Sequence, residues 1–105
     1  MIYKIKYTKL AIRDLDKMYL EILSVSKDED ITLNYIESMM DTIEDKKMFP
    51  ESGTPLYFND LFTEYRFVIF KSYIAFYRII DDMISVERFL YGKSDYMKAL
   101  HLLDK

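Results

Sequence analysis

Residues 64–96, which read EYRFVIFKSYIAFYRIIDDMISVERFLYGKSDY, decide the fold of this chain. They contain three runs, at 65–70, 73–80 and 84–91, that are rich in β-branched and aromatic residues and too short for typical helices. Polar pairs at Lys71-Ser72 and Asp81-Asp82 separate the runs. The sequence therefore predicts three consecutive strands joined by tight turns.

Three arginines, Arg66, Arg78 and Arg88, lie inside these apolar runs. A guanidinium stays charged, so burying one without a partner is costly. Three of them on adjacent strands imply either acidic partners within the protein or an open face that receives an anion. On the first alternative the partners are Glu64, Glu87 or acids of the helices, and the neighbouring tyrosines are core residues.

The second alternative depends on the register of the strands. If both turns contain two residues, Arg66 lies opposite Tyr77 and Ala75 lies opposite Arg88. Side chains alternate along a strand, so one face of the sheet then carries Arg66, Tyr77 and Arg88, with Arg78 on the other.

Further polar side chains follow where the third strand ends. Tyr91, Lys93, Ser94 and Tyr96 are grouped there. Cations with nearby phenols are able to hold a phosphate, stabilise its developing charge and stack a base. A phosphate site on this part of the sheet is one hypothesis for function.

The first half of the chain predicts a strand and two helices. Residues 1–7 alternate as a strand with one wet face, and Thr8 stands where a helix N-cap is expected. A polar break at 26–30 precedes a second helix, with Asp28 or Asp30 as its cap, and Phe49-Pro50 ends that helix. So short a connection predicts an antiparallel helical hairpin. The apolar stripe of the first helix comprises Ala11, Leu15, Met18, Ile22 and Val25, and that of the second comprises Leu33, Ile36, Met40 and Ile43.

Two segments complete the prediction. Residues 51–60 contain a glycine and a proline and are expected to form a loop. A short helix capped by Ser94 or Asp95 is expected after the last strand, with Met97, Leu100 and Leu103 facing inward. The charged residues of the first helix, Asp14 among them, are expected to be solvated.

Size and composition fit one α+β domain over residues 1–105, with the order β-α-α-β-β-β-α and the helical hairpin packed on a mainly antiparallel, twisted sheet. Half of the residues are hydrophobic, which excludes a disordered chain. Cysteine is absent and only one histidine is present, which excludes thiolate and multi-histidine metal sites. No apolar run approaches the ~18 residues of a membrane span. We expect a cytoplasmic protein that needs neither metal nor cofactor.

The net charge of −3 argues against a generic basic nucleic-acid binder. The charge is uneven, because residues 1–63 hold 8 Lys and Arg against 12 Asp and Glu, whereas residues 64–105 hold 7 against 6. The strand region is therefore the less acidic half, and nucleic-acid contact remains open there.

Several motifs together resemble the RelE/ParE superfamily, the toxin halves of bacterial type II toxin–antitoxin modules. The resemblance covers nearly the whole chain in the right order. It is carried by Tyr7-Thr8, Ala11, Asp14-Leu15, Phe49-Pro50, Gly53, Tyr65-Arg66, Tyr73, Phe76-Tyr77-Arg78 and the run RFLYGKSDY at 88–96.

The resemblance implies one of two activities and an antitoxin partner. RelE-like members are metal-independent endoribonucleases that cut mRNA on the ribosome, and this is the activity we expect. ParE-like members inhibit DNA gyrase, which is the alternative. Carried over from the nucleases, Arg66, Lys93 and Tyr96 are the candidate catalytic residues. Arg88 and Tyr77 on the predicted sheet face, with Tyr91 at the end of the third strand, are the candidate substrate-binding residues. Ser94 stands where many members have an arginine, which leaves a weakened or inactive toxin as a third expectation.

Overall fold

The three strands expected between residues 64 and 96 are present, as is the strand expected at the start of the chain, and a fifth strand that was not expected directly precedes the three. The computed structural model describes residues 2–102. In chain order the elements are β1 (Lys4–Tyr7), α1 (Lys9–Ser26), α2 (Glu29–Glu44), two 3₁₀ turns (Asp45–Lys47 and Pro50–Ser52), β2 (Thr54–Phe58), β3 (Leu61–Phe70), β4 (Tyr73–Ile80), β5 (Met83–Tyr91) and α3 (Tyr96–Ala99).

The strands form one sheet in the order β1-β5-β4-β3-β2. The neighbours from β2 to β5 are antiparallel, and only β1 runs parallel to its partner β5. The predicted α+β class, a helical hairpin on a mainly antiparallel sheet, is confirmed.

Both long helices begin at the caps that the sequence indicates. The Thr8 hydroxyl accepts the backbone N–H of Ala11 at 3.1 Å, and the Asp28 carboxylate accepts that of Ile31 at 3.1 Å. Each bond satisfies a donor that the first helical turn leaves free. Between the helices Lys27 adopts φ 57°, which lets the chain reverse in two residues.

The sheet is covered on both faces. Tyr73, Ala75 and Tyr77 of β4 pack in a core with residues of α1 and α2, chiefly Met18 and Met39. The alternate residues Ile74 and Phe76 pack on the opposite face with Leu56 and Leu100. This alternation makes β4 the most buried strand, as its central position requires.

Parts of the two predicted helical stripes are wrong. Val25 is 84% exposed and Leu33 is 47% exposed. The buried positions of α2 are Thr32, Met39 and Ile43. Thr32 is buried although it is polar, because its hydroxyl donates to the Asp28 carbonyl at 2.9 Å, and an apolar pattern does not register such a residue.

The prediction of a loop over residues 51–60 is also wrong. Thr54–Phe58 is β2, and a two-residue turn at Asn59-Asp60, with φ 50° and 66°, joins it to β3. Two positive φ values at a two-residue turn are typical of the type I′ hairpin. Pro55 is tolerated because β2 lies at the end of the sheet, where a missing N–H costs no ladder hydrogen bond.

The terminal helix is present but short. Asp95 caps it by accepting the backbone N–H of Lys98 at 3.2 Å. Leu100 is buried and Met97 is half-buried, as expected. The expectations for Met1 and Leu103 concern positions outside the described residues.

Candidate functional site

The register confirms one of the two predicted pairings. Arg66 lies opposite Tyr77, but Arg88 lies opposite Phe76 and not Ala75. A β-bulge shifts the β4–β5 register between Phe76 and Tyr77. One extra residue moves every side chain beyond it to the other face. The predicted grouping of Arg66, Tyr77 and Arg88 on one face is therefore wrong.

Arg66 binds the backbone of the segment that leads into β2. Its Nη1 donates to the carbonyl oxygens of Glu51 at 3.0 Å and Gly53 at 3.2 Å. Its guanidinium carbon lies 5.2 Å from the centre of the Phe62 ring. The same side chain lines an open cleft of about 210 Å³ together with Glu51, Phe62, Glu64 and Ile79.

Tyr77, which is buried opposite Arg66, binds the same segment of backbone. Its hydroxyl donates to the Pro50 carbonyl at 2.5 Å and accepts the Gly53 N–H at 3.0 Å. A β-carbon on Gly53 would collide with this hydroxyl, which explains why a glycine is needed there. Burial raises the pKa of Tyr77, although the Gly53 N–H and Arg66 oppose that shift. The phenol is thus a neutral group that is shielded from solvent.

Arg88 has an acidic partner on a helix, one of the two alternatives that the sequence left open. Its Nε and Nη2 donate to the two carboxylate oxygens of Asp14 at 2.6 and 3.0 Å. Asp14 also accepts the Phe89 N–H at 3.0 Å, and Arg88 Nη1 lies 3.5 Å from the Ala99 carbonyl. Donation of hydrogen bonds to Asp14 raises the pKa of Arg88. Arg88 therefore joins α1, β5 and α3.

Asp14 is the residue that the sequence analysis missed. The expectation that it is solvated is wrong, since its side chain is 12% exposed. Strand β1 pairs with β5 only as far as Val86, so beyond that point the outer edge of β5 has free backbone donors. The Asp14 carboxylate satisfies one of them. Its place in the motif Asp14-Leu15 was the one available signal.

The remaining candidates lie at the end of β5 or beyond it. Lys93 is exposed, and Tyr91 is 46% exposed with its ring 5.8 Å from that of Tyr73. Tyr96 packs its ring 5.4 Å from that of Phe76 on the face covered by α3. From the register, the backbones of Arg66 and Lys93 are roughly 15–20 Å apart.

The six candidate residues thus occupy separate places. Arg66 and Tyr77 hold the segment before β2, and Arg88 pairs with Asp14. Lys93 and Tyr91 lie near the opposite end of the strands, whereas Tyr96 packs on Phe76, on the face of the sheet opposite to Tyr77. Among residues 2–102 no three His, Asp or Glu side chains are grouped as metal ligands. No helix within the described range is long and apolar enough to span a membrane.

A larger apolar depression lies where the helical hairpin meets the β3–β4 turn. We name it the hairpin groove. It has a volume of about 400 Å³ and adjoins Glu21, which accepts a hydrogen bond from the Tyr73 hydroxyl at 2.9 Å. Val25 and Ile31, 84% and 56% exposed, form its rim. Its principal lining residues are Ile22, Val25, Ile31, Tyr35, Tyr73 and Tyr91.

Comparison with known structures shows the same fold in toxins of toxin–antitoxin systems. A chromosomal ParDE system from P. aeruginosa aligns with a TM-score of 0.71 at 16% identity, covering 88% of this chain and 98% of that one. The RelBE2 toxin–antitoxin complex from Mycobacterium tuberculosis gives 0.58 at 21% identity, covering 87% and 99%. The E. coli DinJ–YafQ complex gives 0.50 at 15%, covering 95% and 98%.

Among proteins of curated function, none matches. The family model for the ParE toxin of the type II toxin–antitoxin system parDE matches residues 5–96, which include both long helices, strands β2 to β5 and all of β1 except its first residue. The resemblance seen in the sequence is confirmed. The chain belongs to the ParE toxin family, within the RelE/ParE superfamily of type II toxins.

Proposed function

We propose that this toxin acts by inhibiting DNA gyrase, as the ParE branch implies, and that a cognate antitoxin neutralises it by binding the hairpin groove. The observation that carries the first part is the separation of the candidate RNA-handling residues. A phosphate clamp needs its cations and proton-transfer groups within reach of one reacting phosphate. Here Arg88 is neutralised by Asp14, and Arg66 and Lys93 lie roughly 15–20 Å apart.

The choice of branch has further support in the net charge. A protein that works on ribosomal RNA gains most of its affinity from phosphate contacts, and this chain has a net charge of −3. An inhibitor of a protein target has no such requirement. The family model that matches is also the ParE one.

The RelE-like alternative, cleavage of mRNA on the ribosome, is favoured by two exposed features. Arg66 lines an open cleft, and Lys93 is exposed beyond β5. A conformational change would be needed to bring them to one phosphate.

Both activities are tested on one purified preparation. We expect the wild-type chain to block supercoiling by gyrase and to leave mRNA 5′ ends in a translating extract unchanged. New 5′ ends that disappear in Arg66→Ala would contradict the gyrase proposal and support the nuclease. If neither assay responds, the chain is an inactive relative.

The antitoxin proposal rests on the apolar lining of the hairpin groove. Val25 and Ile31 are large apolar residues that are exposed beside the partly exposed rings of Tyr35 and Tyr91. Such apolar patches mark protein-binding surfaces. The apolar face of an amphipathic helix fits a groove of this kind. The RelBE2 and DinJ–YafQ structures are themselves toxin–antitoxin complexes. The groove therefore offers this chain a site for the same class of partner.

A charge placed in the groove tests this directly. The product of the adjacent reading frame is co-expressed with the toxin and the complex is isolated. Val25→Asp should weaken the complex by about tenfold or more, because a carboxylate would be buried without a partner. Leu20→Asp is the matched control, as Leu20 is 66% exposed on the same helix and does not line the groove. Equal loss in both variants would contradict the assignment of the groove.

A further inference from the structure

The β2–β3 hairpin has an exposed aromatic surface that neither core covers. Tyr57 and Phe62 are paired across the two strands, 55% and 37% exposed, with ring centres 5.8 Å apart. Neither ring is part of the two core clusters. We name the surface formed by these rings and the adjoining cleft the hairpin face; the cleft is lined by Glu51, Phe62, Glu64, Arg66 and Ile79.

The hairpin face is held in a defined shape. The Thr63 hydroxyl donates to the Leu56 carbonyl at 2.8 Å and accepts the Tyr65 N–H at 3.2 Å, which fixes a bulge in β3. Within the bulge Glu64 adopts φ 74°, a conformation that costs a non-glycine residue ~1 kcal/mol or more. Bulges of this kind direct side chains at binding sites.

The charge of the cleft determines what it would bind. Its charged lining residues are two carboxylates, Glu51 and Glu64, and one guanidinium, Arg66. The guanidinium is already hydrogen-bonded to two backbone carbonyls, whereas both glutamates are exposed. Asp60, in the turn of the same hairpin, is a third exposed carboxylate. A phosphate is repelled by this surface, and a lysine or arginine side chain is attracted to it.

We propose that the hairpin face binds the protein target of the toxin through a basic side chain next to an apolar one on that target. The aliphatic stem of the basic residue lies against Phe62 and Ile79, and its charge lies between Glu51 and Glu64. Aromatic anchors beside complementary charges are typical of protein–protein hot spots. The proposal rests on the proposed function in requiring a protein target.

The hairpin face and the hairpin groove lie at opposite ends of β4. The groove is lined by Tyr73 and the cleft by Ile79, six residues further along that strand, which corresponds to roughly 20 Å. Antitoxin and target contacts can therefore be altered independently, which makes the experiment decisive.

The test uses two hairpin-face variants with two matched controls. Tyr57→Ser removes an exposed ring, and Leu61→Ser, 72% exposed on the opposite face of the same hairpin, is its control. Glu64→Lys reverses a charge in the cleft, and Glu37→Lys makes the same change on the exposed surface of α2. Each variant is assayed for inhibition of purified gyrase, for growth arrest on induction, and for binding of the adjacent-frame protein as a control for folding.

We expect Tyr57→Ser and Glu64→Lys to weaken inhibition and growth arrest by ~10-fold or more while binding to the adjacent-frame protein is unchanged. The controls should behave as wild type. Full activity of both hairpin-face variants would overturn the proposal. Stronger growth arrest by Glu64→Lys than by the wild type would also overturn it, since an added cation favours a nucleic-acid ligand.

The outcomes separate this proposal from the proposed function. Growth arrest by the wild type without inhibition of gyrase contradicts the proposed function alone. The hairpin face is then judged by whether the same two variants lose growth arrest. A wild-type chain that arrests nothing overturns both.

Discussion

Arg66 and Arg88 lie in β3 and β5, the two strands on either side of β4, and their surroundings give them different roles. Arg88 is bound by both oxygens of Asp14, with side chains 21% and 12% exposed. Arg66 is bound only by neutral carbonyls and lines an open cleft. The positive charge of Arg88 is balanced within the protein by the carboxylate of Asp14. The positive charge of Arg66 is not balanced by the neutral carbonyls that bind it.

The largest expected effect is the loss of the Asp14 carboxylate. Asp14→Ala leaves Arg88 without its partner and the Phe89 N–H without an acceptor, so we expect a loss of about 3 kcal/mol in the free energy of unfolding. Urea unfolding measures it. Asp16→Ala, an exposed neighbour, should change stability by less than ~0.5 kcal/mol. Similar values for the two variants would show that the pair is not structural.

A smaller loss in the free energy of unfolding is expected at Tyr77, which lies opposite Arg66 in the sheet. Tyr77→Phe removes two buried hydrogen bonds to Pro50 and Gly53 and should cost about 2 kcal/mol. Tyr73→Phe removes one bond to Glu21 and should cost about half as much. Thermal unfolding of both variants makes the comparison, and the reverse order would contradict our assignment of Tyr77 as the anchor of residues 50–53.

Removal of the Arg66 charge itself should matter less to stability than that of Asp14. Arg66→Met keeps the aliphatic stem against Phe62 and loses two partly exposed hydrogen bonds, so we expect a loss of about 1 kcal/mol. The measurement is again urea unfolding. A loss equal to that of Asp14→Ala would mean that Arg66 is as structural as Arg88.

The smallest effect appears only at alkaline pH. Burial raises the pKa of Tyr65, with a further contribution from Glu87 that Arg78 and Arg88 oppose, and burial raises the pKa of Tyr7 to about 12. A phenol with a raised folded-state pKa stabilises the fold fully below pH 10, its unfolded value. This contribution is lost as the pH rises from 10 towards 12.

We therefore expect the wild type to lose stability over that range and Tyr65→Phe to lose less. Urea midpoints at pH 8 and pH 11 give the difference. An equal loss in the variant would contradict a raised pKa at Tyr65, and no difference is expected at pH 8.

Much of the fold was predictable because its signals are local. The turns at Lys71-Ser72 and Asp81-Asp82, the cap at Thr8 and the pairing of Arg66 with Tyr77 all follow from residues close in sequence or one hairpin apart. Strand β2 was missed because Gly53 and Pro55 indicate a loop, and only its position at the edge of the sheet makes proline acceptable.

The candidate site was less predictable because it depends on contacts distant in sequence. The bulge in the β4–β5 ladder reversed the face of Arg88, and nothing in the turn residues indicates it. Asp14 is a residue type expected on the exposed face of a helix. It binds the edge of β5 only because β1 ends before β5 does. Arg66 was recognised as important, but the carbonyls that bind it belong to a segment read as a loop.

Strand β1 precedes the other four strands in the chain, yet it joins the sheet last because it pairs with β5. The β1–β5 contact closes a long loop, since Thr8 binds Glu87 across 79 residues. Such non-local pairing forms late because the entropy of closing the loop is lost before any contact repays it. The helical hairpin, in contrast, is local and able to form early. A growing chain therefore forms the helical side of the hairpin groove before β1 completes the sheet.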